Sequence, residues 1–257
     1  MRPDLTVVVP TYNERTRLGA LLEQIFAACD RHQLRVNVVV VDDNSADGTG
    51  DLADEWARHG RVSVIHRAGK LGLGSAVLEG LAVADSDVVG VMDADLSHPP
   101  DLIPRLYDAI AASDLDMVVA SRYVREGGTR SWTADRFVLS HLGCWLSRPL
   151  TPVRDAMSGF FLMRRDVAMG FRTSTKGFKI GLELLVRAPI RRVAELGYVF
   201  VGRHAGESKM SMGEGLRFLK QLAQLYAYKW SSNVPQPFHL VVTDRALKVE
   251  PTPVVEA

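Results

Sequence analysis

The sequence predicts an α/β fold built on a mostly parallel sheet covered by helices. Three observations predict it. Short apolar runs alternate with stretches of helical spacing from Leu5 to Ala120, the order that β-α units leave in a chain. The central run, Val88 to Met92, is unbroken by polar residues, as in a strand buried on both faces. Acidic and polar residues collect where the runs stop, and open α/β sheets bind ligands outside the carboxyl ends of their strands.

Taken in order, Leu5 to Val9 reads as the first strand, cut by Pro10, with a polar loop at Thr11-Tyr12-Asn13-Glu14. Leu18, Leu21, Leu22, Ile25 and Phe26 carry helical spacing over about 16 to 30. Val36 to Val41 is a second strand and Val62 to Ile65 a third, with helix between them to about Arg58. Lys70-Leu71-Gly72-Leu73-Gly74 opens a helix ending near Ala84. The central strand follows, then a helix from about Pro100 to Ala112, entered through Ser97 and the proline pair. Asp116 to Ala120 is another strand. Right-handed crossovers set the strand ends along one edge. That gathers Tyr12, Glu14, Asp42, Asp43, Asp93, Asp95 and Arg122 around one cleft.

Beyond residue 121 the pattern changes. A helix is expected over about Thr133 to Ser147, stopped by Pro149 and Pro152, and a loop carries Asp155, Ser158 and Gly159. Phe160 to Met163 reads as strand, Gly181 to Ala188 as helix, and Val193 to Val201 as extended. Residues 202 to 215 have a mobile-loop composition. A C-terminal amphipathic helix is expected over about Leu216 to Trp230, and the proline-containing tail from Ser231 reads as poorly ordered. The expected division is a catalytic domain over 1–212, the helix over 213–230 and the tail over 231–257.

The 257 residues, 47% of them apolar, suffice for one large core. A net charge of +1 argues against broad binding to nucleic acid. Cys29 and Cys144 make neither a disulfide framework nor a zinc spacing, and fit a reducing compartment. No secretory leader or spanning helix is visible.

Asp93 and Asp95 end the central strand. Alternate residues lie roughly 7 Å apart along a strand, whereas a small divalent ion takes oxygens at about 2.0–2.2 Å. A division with Asp95 on the metal and Asp93 nearer the rest of the ligand suits that spacing better than a symmetric grip. An isolated Asp-x-Asp would read as a solvated loop or a helix N-terminal charge. Here the buried strand before it and the motifs around it favour function.

Those motifs are Val-Val-Val-Pro-Thr-Tyr-Asn-Glu (7–14), Val-Val-Asp-Asp-Asn-Ser-Ala-Asp-Gly-Thr (40–49), Gly-Leu-Gly-Ser-Ala (72–76) and Met-Asp-Ala-Asp-Leu-Ser-His-Pro-Pro (92–100). Ser-Arg-Tyr (121–123), Met-Ser-Gly-Phe (157–160), Gly-Leu-Glu (181–183) and Gly-Glu-Ser-Lys (206–209) continue them. Together they resemble the second sequence family of glycosyltransferases, with the GT-A nucleotide-sugar-binding fold and its Rossmann-like sheet. Within it they are similar to dolichol-phosphate mannose synthases and their polyprenyl-phosphate relatives.

The resemblance implies transfer of a hexose from a nucleotide sugar to a polyprenyl monophosphate by inverting displacement. Mannose from GDP-mannose is the favoured donor; UDP-glucose or another nucleotide sugar, and a non-catalytic scaffold, remain alternatives. It implies a nucleotide-sugar site of Pro10, Tyr12, Glu14, Val41, Asp43, Asp93, Ala94, Asp95, Lys179, Arg203 and Lys209. Asp93, Asp95 and Arg122 would be catalytic, and Asp93, Asp95 and Ser97 would face Mg²⁺ or Mn²⁺. Ser97 stands where relatives often carry glutamine, a longer ligand. Arg122, Arg136 and Ser140 would receive the acceptor phosphate, Arg136 and Ser140 sharing a helix face.

Plainer readings stand beside these. Asp42, Asp43 and Asp47 also suit turns and caps, a reading preferred for Asp47 and not for Asp43. Gly72 and Gly74 suit packing better than a phosphate cradle. Lys179 and Glu183 suit a surface pair, and Arg203, Ser208 and Lys209 a solvated loop. Asp155 is a candidate to orient an arginine, and His98 and His204 are not read as ligands. Phe137, Leu139, Leu142, Trp145 and Leu146, like Phe218, Leu219, Leu222, Leu225, Tyr226 and Trp230, suit either core or a membrane interface. The partners expected are a membrane surface or membrane-embedded protein, with the chain peripheral at the cytoplasmic face.

Overall fold

Valine-rich runs become strands and the spaced leucines between them become helices. Strand β1 is Leu5–Thr11 and helix α1 Arg15–Arg31; β2 is Val36–Asp42 and α2 Thr49–Ala57; β3 is Val62–His66 and α3 Leu73–Val83. Strand β4, Val88–Val91, leads through a 3-10 turn at Pro100–Leu102 into α4, Ile103–Ala111, and then β5, Met117–Ser121. Next come β6, Gly128–Arg130, α5, Ala134–Ser147, β7, Phe161–Arg164, and the short α6, Arg165–Met169. Helix α7 is Ile180–Arg187, β8 Arg192–Gly197, β9 Val199–Val201, α8 Met212–Ser231 and β10 Leu240–Val242. This computed structural model describes residues 2–130, 132–170, 179–202, 212–231 and 240–242.

Eight strands form one sheet in the order β10-β8-β5-β7-β4-β1-β2-β3. Every neighbouring pair is parallel except those of β7, which runs against both β4 and β5. Gly90 of β4 makes room for a side chain of β7: a Cβ there would run into the Leu162 methyl. Alternate residues feed two cores, as a strand's period of two requires. Leu5, Val7, Val9, Val36, Val38 and Val40 pack with α1 and α4 on one face, and Val8, Val39 and Val41 with α3 and α7 on the other.

Three features depart from expectation. The extended stretch 193–201 breaks at Tyr198, because β9 leaves the main sheet to pair with β6 in a parallel ribbon that has no sequence signal. Helix α6 has none either. Within the tail expected to be poorly ordered, β10 pairs parallel with β8 at the sheet edge; the rest of 232–257 lies outside the described residues. No helix among the described residues is long and apolar enough to cross a membrane.

Candidate active site

The parallel strands deliver their carboxyl ends to one edge, and β7, being reversed, delivers its start there. After β4 the chain turns sharply: Leu96 sits in the left-handed region at φ 61°, which a leucine rarely occupies. The turn brings the Ser97 N–H onto Asp95 Oδ1 at 3.0 Å, and the Ser97 hydroxyl donates to the same oxygen. Ser97 is buried. It therefore orients Asp95 rather than opening the following helix, whose entry is made at Pro99 and Pro100 without a side-chain cap. Asp93 Oδ2 lies 3.2 Å from His98 Nε2. Gly159 approaches the same oxygen, and a Cβ there would come 2.9 Å from it.

On the side of β1 and β2, Asp43 is buried and clamped. Arg67 pairs with its Oδ1, and the Gly72 N–H donates to Oδ2 at 3.1 Å. Arg67 is itself held by Ser75 at 2.7 Å and Glu79 at 3.1 Å. Gly72 has φ 103°, so it serves the turn and Asp43, and its N–H is not left for phosphate. Asp42 takes Thr11 Oγ1 at 3.0 Å and the Ser45 N–H at 3.0 Å. Asp47 takes the Thr49 N–H at 3.0 Å and the Arg15 N–H at 3.1 Å, which is turn chemistry just ahead of α2, whose cap is Gly48. Glu14 faces Arg17 at 2.9 Å, and Tyr12 is exposed with the Lys70 ammonium 3.9 Å from its ring centre. The side chains of Pro10, Val41 and Ala94 are buried, which leaves only their backbone to a ligand.

Beyond the acids, Arg122 follows β5. Its Nε and Nη2 donate to the Asp155 carboxylate at 2.7 and 2.6 Å, and its backbone N–H adds a third bond at 2.9 Å. Burial pulls the guanidinium down, yet the bonds and charge of Asp155 outweigh it and hold the pKa above its usual value. Asp155 is completely buried, and Glu195 fixes its loop by accepting the Arg154 and Asp155 N–H groups at 2.8 and 3.0 Å. Burial pushes Glu195 up.

Arg122 and Arg136 meet over the same two rings: their guanidinium carbons lie 5.0 and 4.7 Å from Trp132, and 5.7 and 5.4 Å from Phe200. Ser140 accepts the Tyr123 hydroxyl at 2.7 Å. Lys179 is held at its backbone by Gln221 of α8, with N and O each 3.1 Å from the amide. Burial lowers its ammonium, and Asp93 is the strongest opposing influence. Glu183 does not make the surface pair expected with Lys179. It is buried, with Arg187 at 2.9 Å and Gln221 at 3.2 Å.

Asp93 meets His98, which packs on Tyr198 and Phe200, and Arg122 and Arg136 stand over Phe200. Asp95 lies in the same turn as Asp93, Lys179 senses the charge of Asp93 and Arg122, and Ser140 joins through Tyr123, whose ring also faces Arg122. Arg203, Ser208 and Lys209 lie outside the described residues. Arg67, Trp132, Tyr198 and Gln221 were not singled out by the sequence, and His98 was named only to be set aside as a ligand. Two had a signal: Arg67 follows a strand that ends at the same edge, and His98 lies within the Asp93–Pro100 motif.

Among the described residues no three of His, Cys, Asp or Glu form a cage for an ion. Asp93 and Asp95 nevertheless supply hard oxygens of the kind Mg²⁺ and Mn²⁺ take, with water and ligand phosphates completing the shell. The residues present fit such an ion.

The profile of glycosyl transferase family 2 matches residues 6–171. The chain is 37% identical over 234 residues to a dolichol-phosphate mannosyltransferase of Pyrococcus furiosus, covering 90% of this chain and 65% of that protein's length. It is 34% identical over 244 residues to a dolichol-phosphate mannosyltransferase of Saccharomyces cerevisiae, covering 91% of each. A polyprenol monophosphomannose synthase of Mycolicibacterium smegmatis is 40% identical over 223 residues, 82% of each. Among solved structures, a mannosyltransferase from Pyrobaculum calidifontis in complex with GDP-Man and Mn²⁺ superposes with a TM-score of 0.61 at 22% identity, over 92% of this chain and 67% of that one. A glucosyl-3-phosphoglycerate synthase from Mycobacterium tuberculosis, in complex with Mn²⁺, UDP and glucosyl-3-phosphoglycerate, gives 0.61 at 19%, over 88% and 80%. With a profile spanning most of the sheet and relatives spanning most of the sequence, the chain belongs to glycosyl transferase family 2 and carries the GT-A fold.

Proposed function

We propose that this protein transfers mannose from GDP-mannose to the phosphate of a polyprenyl or dolichyl lipid, inverting the anomeric carbon. The observation that carries the reading is the pair of arginines, Arg122 and Arg136, set over Trp132 and Phe200 beside the acids of the Asp93–Asp95 loop. A phosphate monoester has its second pKa near about 6, so the acceptor arrives already anionic. It needs cations to place it, not a base to activate it. Arg122, kept charged by Asp155, and Arg136 supply them, and Ser140 adds a hydroxyl. The acceptor oxygen attacks the anomeric carbon from the face opposite the leaving GDP.

On the donor side Asp43, fixed by Arg67, accepts from the N–H and O–H groups of the nucleoside, with Tyr12, Glu14 and the backbone of Pro10, Val41 and Ala94 around it. Asp95, oriented by Ser97, would hold Mg²⁺ or Mn²⁺ with Asp93 beside it, and such an ion would supply positive charge to the departing diphosphate. Lys179 faces the same diphosphate, to which the family resemblance also assigns Arg203 and Lys209. The exposed apolar residues of α5 and α8 rest on the cytoplasmic face of a membrane or on a membrane-embedded partner.

The test is lipid labelling by purified protein with radiolabelled GDP-mannose and polyprenyl phosphate in vesicles, with and without EDTA, beside UDP-glucose. Labelled lipid from GDP-mannose, abolished by EDTA, is expected. Labelling from UDP-glucose alone would reassign the donor, and metal-independent nucleotide binding without turnover would make the protein a scaffold. Asp95→Ala should lose nearly all transfer while melting like the parent; full activity would remove the metal from Asp95.

A further inference from the structure

His98 takes no part in the steps above, yet both its ring nitrogens are engaged. Nε2 lies 3.2 Å from Asp93 Oδ2, and Nδ1 lies 2.9 Å from the Tyr198 hydroxyl. Only 3% of the residue is exposed. Its ring is boxed by Phe160, Tyr198 and Phe200, with centroids at 5.4, 5.5 and 5.5 Å.

The chemistry fixes the direction of the bonds. An ionised carboxylate only accepts, so Nε2 carries the hydrogen that faces Asp93. In a neutral ring Nδ1 is then the acceptor, and the Tyr198 hydroxyl must donate to it. The carboxylate therefore selects the tautomer, and the Tyr198 hydroxyl, donating to Nδ1, holds the ring in it. Gly159 also approaches Oδ2: a Cβ there would come 2.9 Å from it, so the glycine leaves the carboxylate room in its present orientation.

We propose that His98 is a positioning residue for the sugar donor: the chain Tyr198–His98–Asp93 fixes the carboxylate of Asp93 in the orientation that meets the nucleotide sugar. The inference rests on the donor site described under Proposed function. Packing alone would be served equally by phenylalanine in this aromatic box. A directing role would not, and outer partners that orient a site carboxylate or ligand are typically worth about 10–100-fold.

Four forms of the full chain separate these cases: the parent, His98→Phe, His98→Gln and Tyr198→Phe. Phenylalanine keeps the box and deletes both bonds. Glutamine offers an N–H to Asp93 and a carbonyl to Tyr198. In His98→Phe, calorimetric affinity for GDP-mannose with Mn²⁺ and kcat/KM for the donor should fall about 10–100-fold, with KM for the lipid unchanged and the melting temperature kept. His98→Gln should recover much of the loss. Nitrogen-15 NMR of the parent without ligand should show the Nε2–H tautomer, and Tyr198→Phe should shift it towards a mixture. Full donor affinity in folded His98→Phe, no gain from glutamine, or an Nδ1–H ring in the parent would overturn the proposal. The tautomer and donor affinity are read without lipid. A parent that binds GDP-mannose but labels no lipid would therefore sink the functional reading and still leave His98 to be judged. If His98→Phe fails to fold, the NMR comparison and Tyr198→Phe decide.

Discussion

Arg122 is a charge taken out of water, and Asp155 is what makes that tolerable. The pair is bidentate, and its acid is completely buried. Removing one partner of such a pair leaves an uncompensated charge, at a cost of about 3–5 kcal/mol. Asp155→Ala should therefore lower the urea unfolding free energy by that order, and abolish transfer as well. An effect below about 1 kcal/mol would mean that water reaches the guanidinium. The sequence marked Asp155 as a partner for an arginine, but no local spacing says which of several, because the pair joins loops 33 residues apart. Asp47 shows the opposite case, a role legible from Asp-Gly alone. Burial pushes its carboxyl up, but the bonds from Thr49 and the Arg15 N–H more than offset that and hold it below its usual range. A folded value below the unfolded one means stability present above the ordinary carboxylate range and lost as pH falls through the depressed value. Asp47→Asn should cost about 0.5–1 kcal/mol at neutral pH, because the amide keeps one acceptor for the Thr49 N–H but turns an NH2 group towards the Arg15 N–H, and the net charge contributes little at an exposed group. The difference from the parent should vanish in acid denaturation curves; a constant gap down to low pH would refute the assignment.

At the scale of elements, α5 has two jobs on two sides. Arg136 and Ser140 look towards the site, while Phe137, Val138, Leu139, Leu142 and Trp145 are exposed, Trp145 at 68%. Helix α8 packs beside it: the Tyr226 hydroxyl donates to Leu146 O at 2.6 Å, and Phe218 lies against Gly143. On α8, Leu222 and Leu225 enter the core while Leu216, Leu219 and Trp230 stay exposed, Trp230 at 77%. Contiguous exposed apolar surface marks an interaction site. Changing Leu142 and Trp145 together to serine should leave stability within about 0.5 kcal/mol, as for exposed positions generally. Co-sedimentation with phospholipid vesicles should fall several-fold. Unchanged sedimentation would leave the membrane surface to other elements. Helical spacing foretold that both segments are helices. It did not tell core from surface, since both explain the same leucines until neighbours are placed. Gln221 was silent for a related reason: a polar residue on an apolar helix looks solvated until its amide is found gripping the backbone of Lys179.

At the scale of the molecule, the strands from β1 to β5 were legible because buried parallel strands announce themselves as apolar runs. Direction was not: the four residues of β7 read the same either way, and only the pairing with β4 and β5 reveals the reversal. Strand β6, Gly-Thr-Arg, carries no apolar run, and β9, Val-Phe-Val, reads as the end of one extended stretch until its pairing with β6 separates it. The cluster of site residues was therefore visible as a set of strand ends, while the holding roles of Arg67, His98 and Tyr198 emerged only from packing. The reversed strand also governs the order in which this molecule can be put together. Strand β5 has two partners, β7 and β8, and both are synthesised after it. A nascent chain ending before Phe161 thus holds Asp93, Asp95 and Arg122 with a gap between the strands that carry them, and a ribosome must deliver Phe161–Arg164 before the acids and the arginines can face each other.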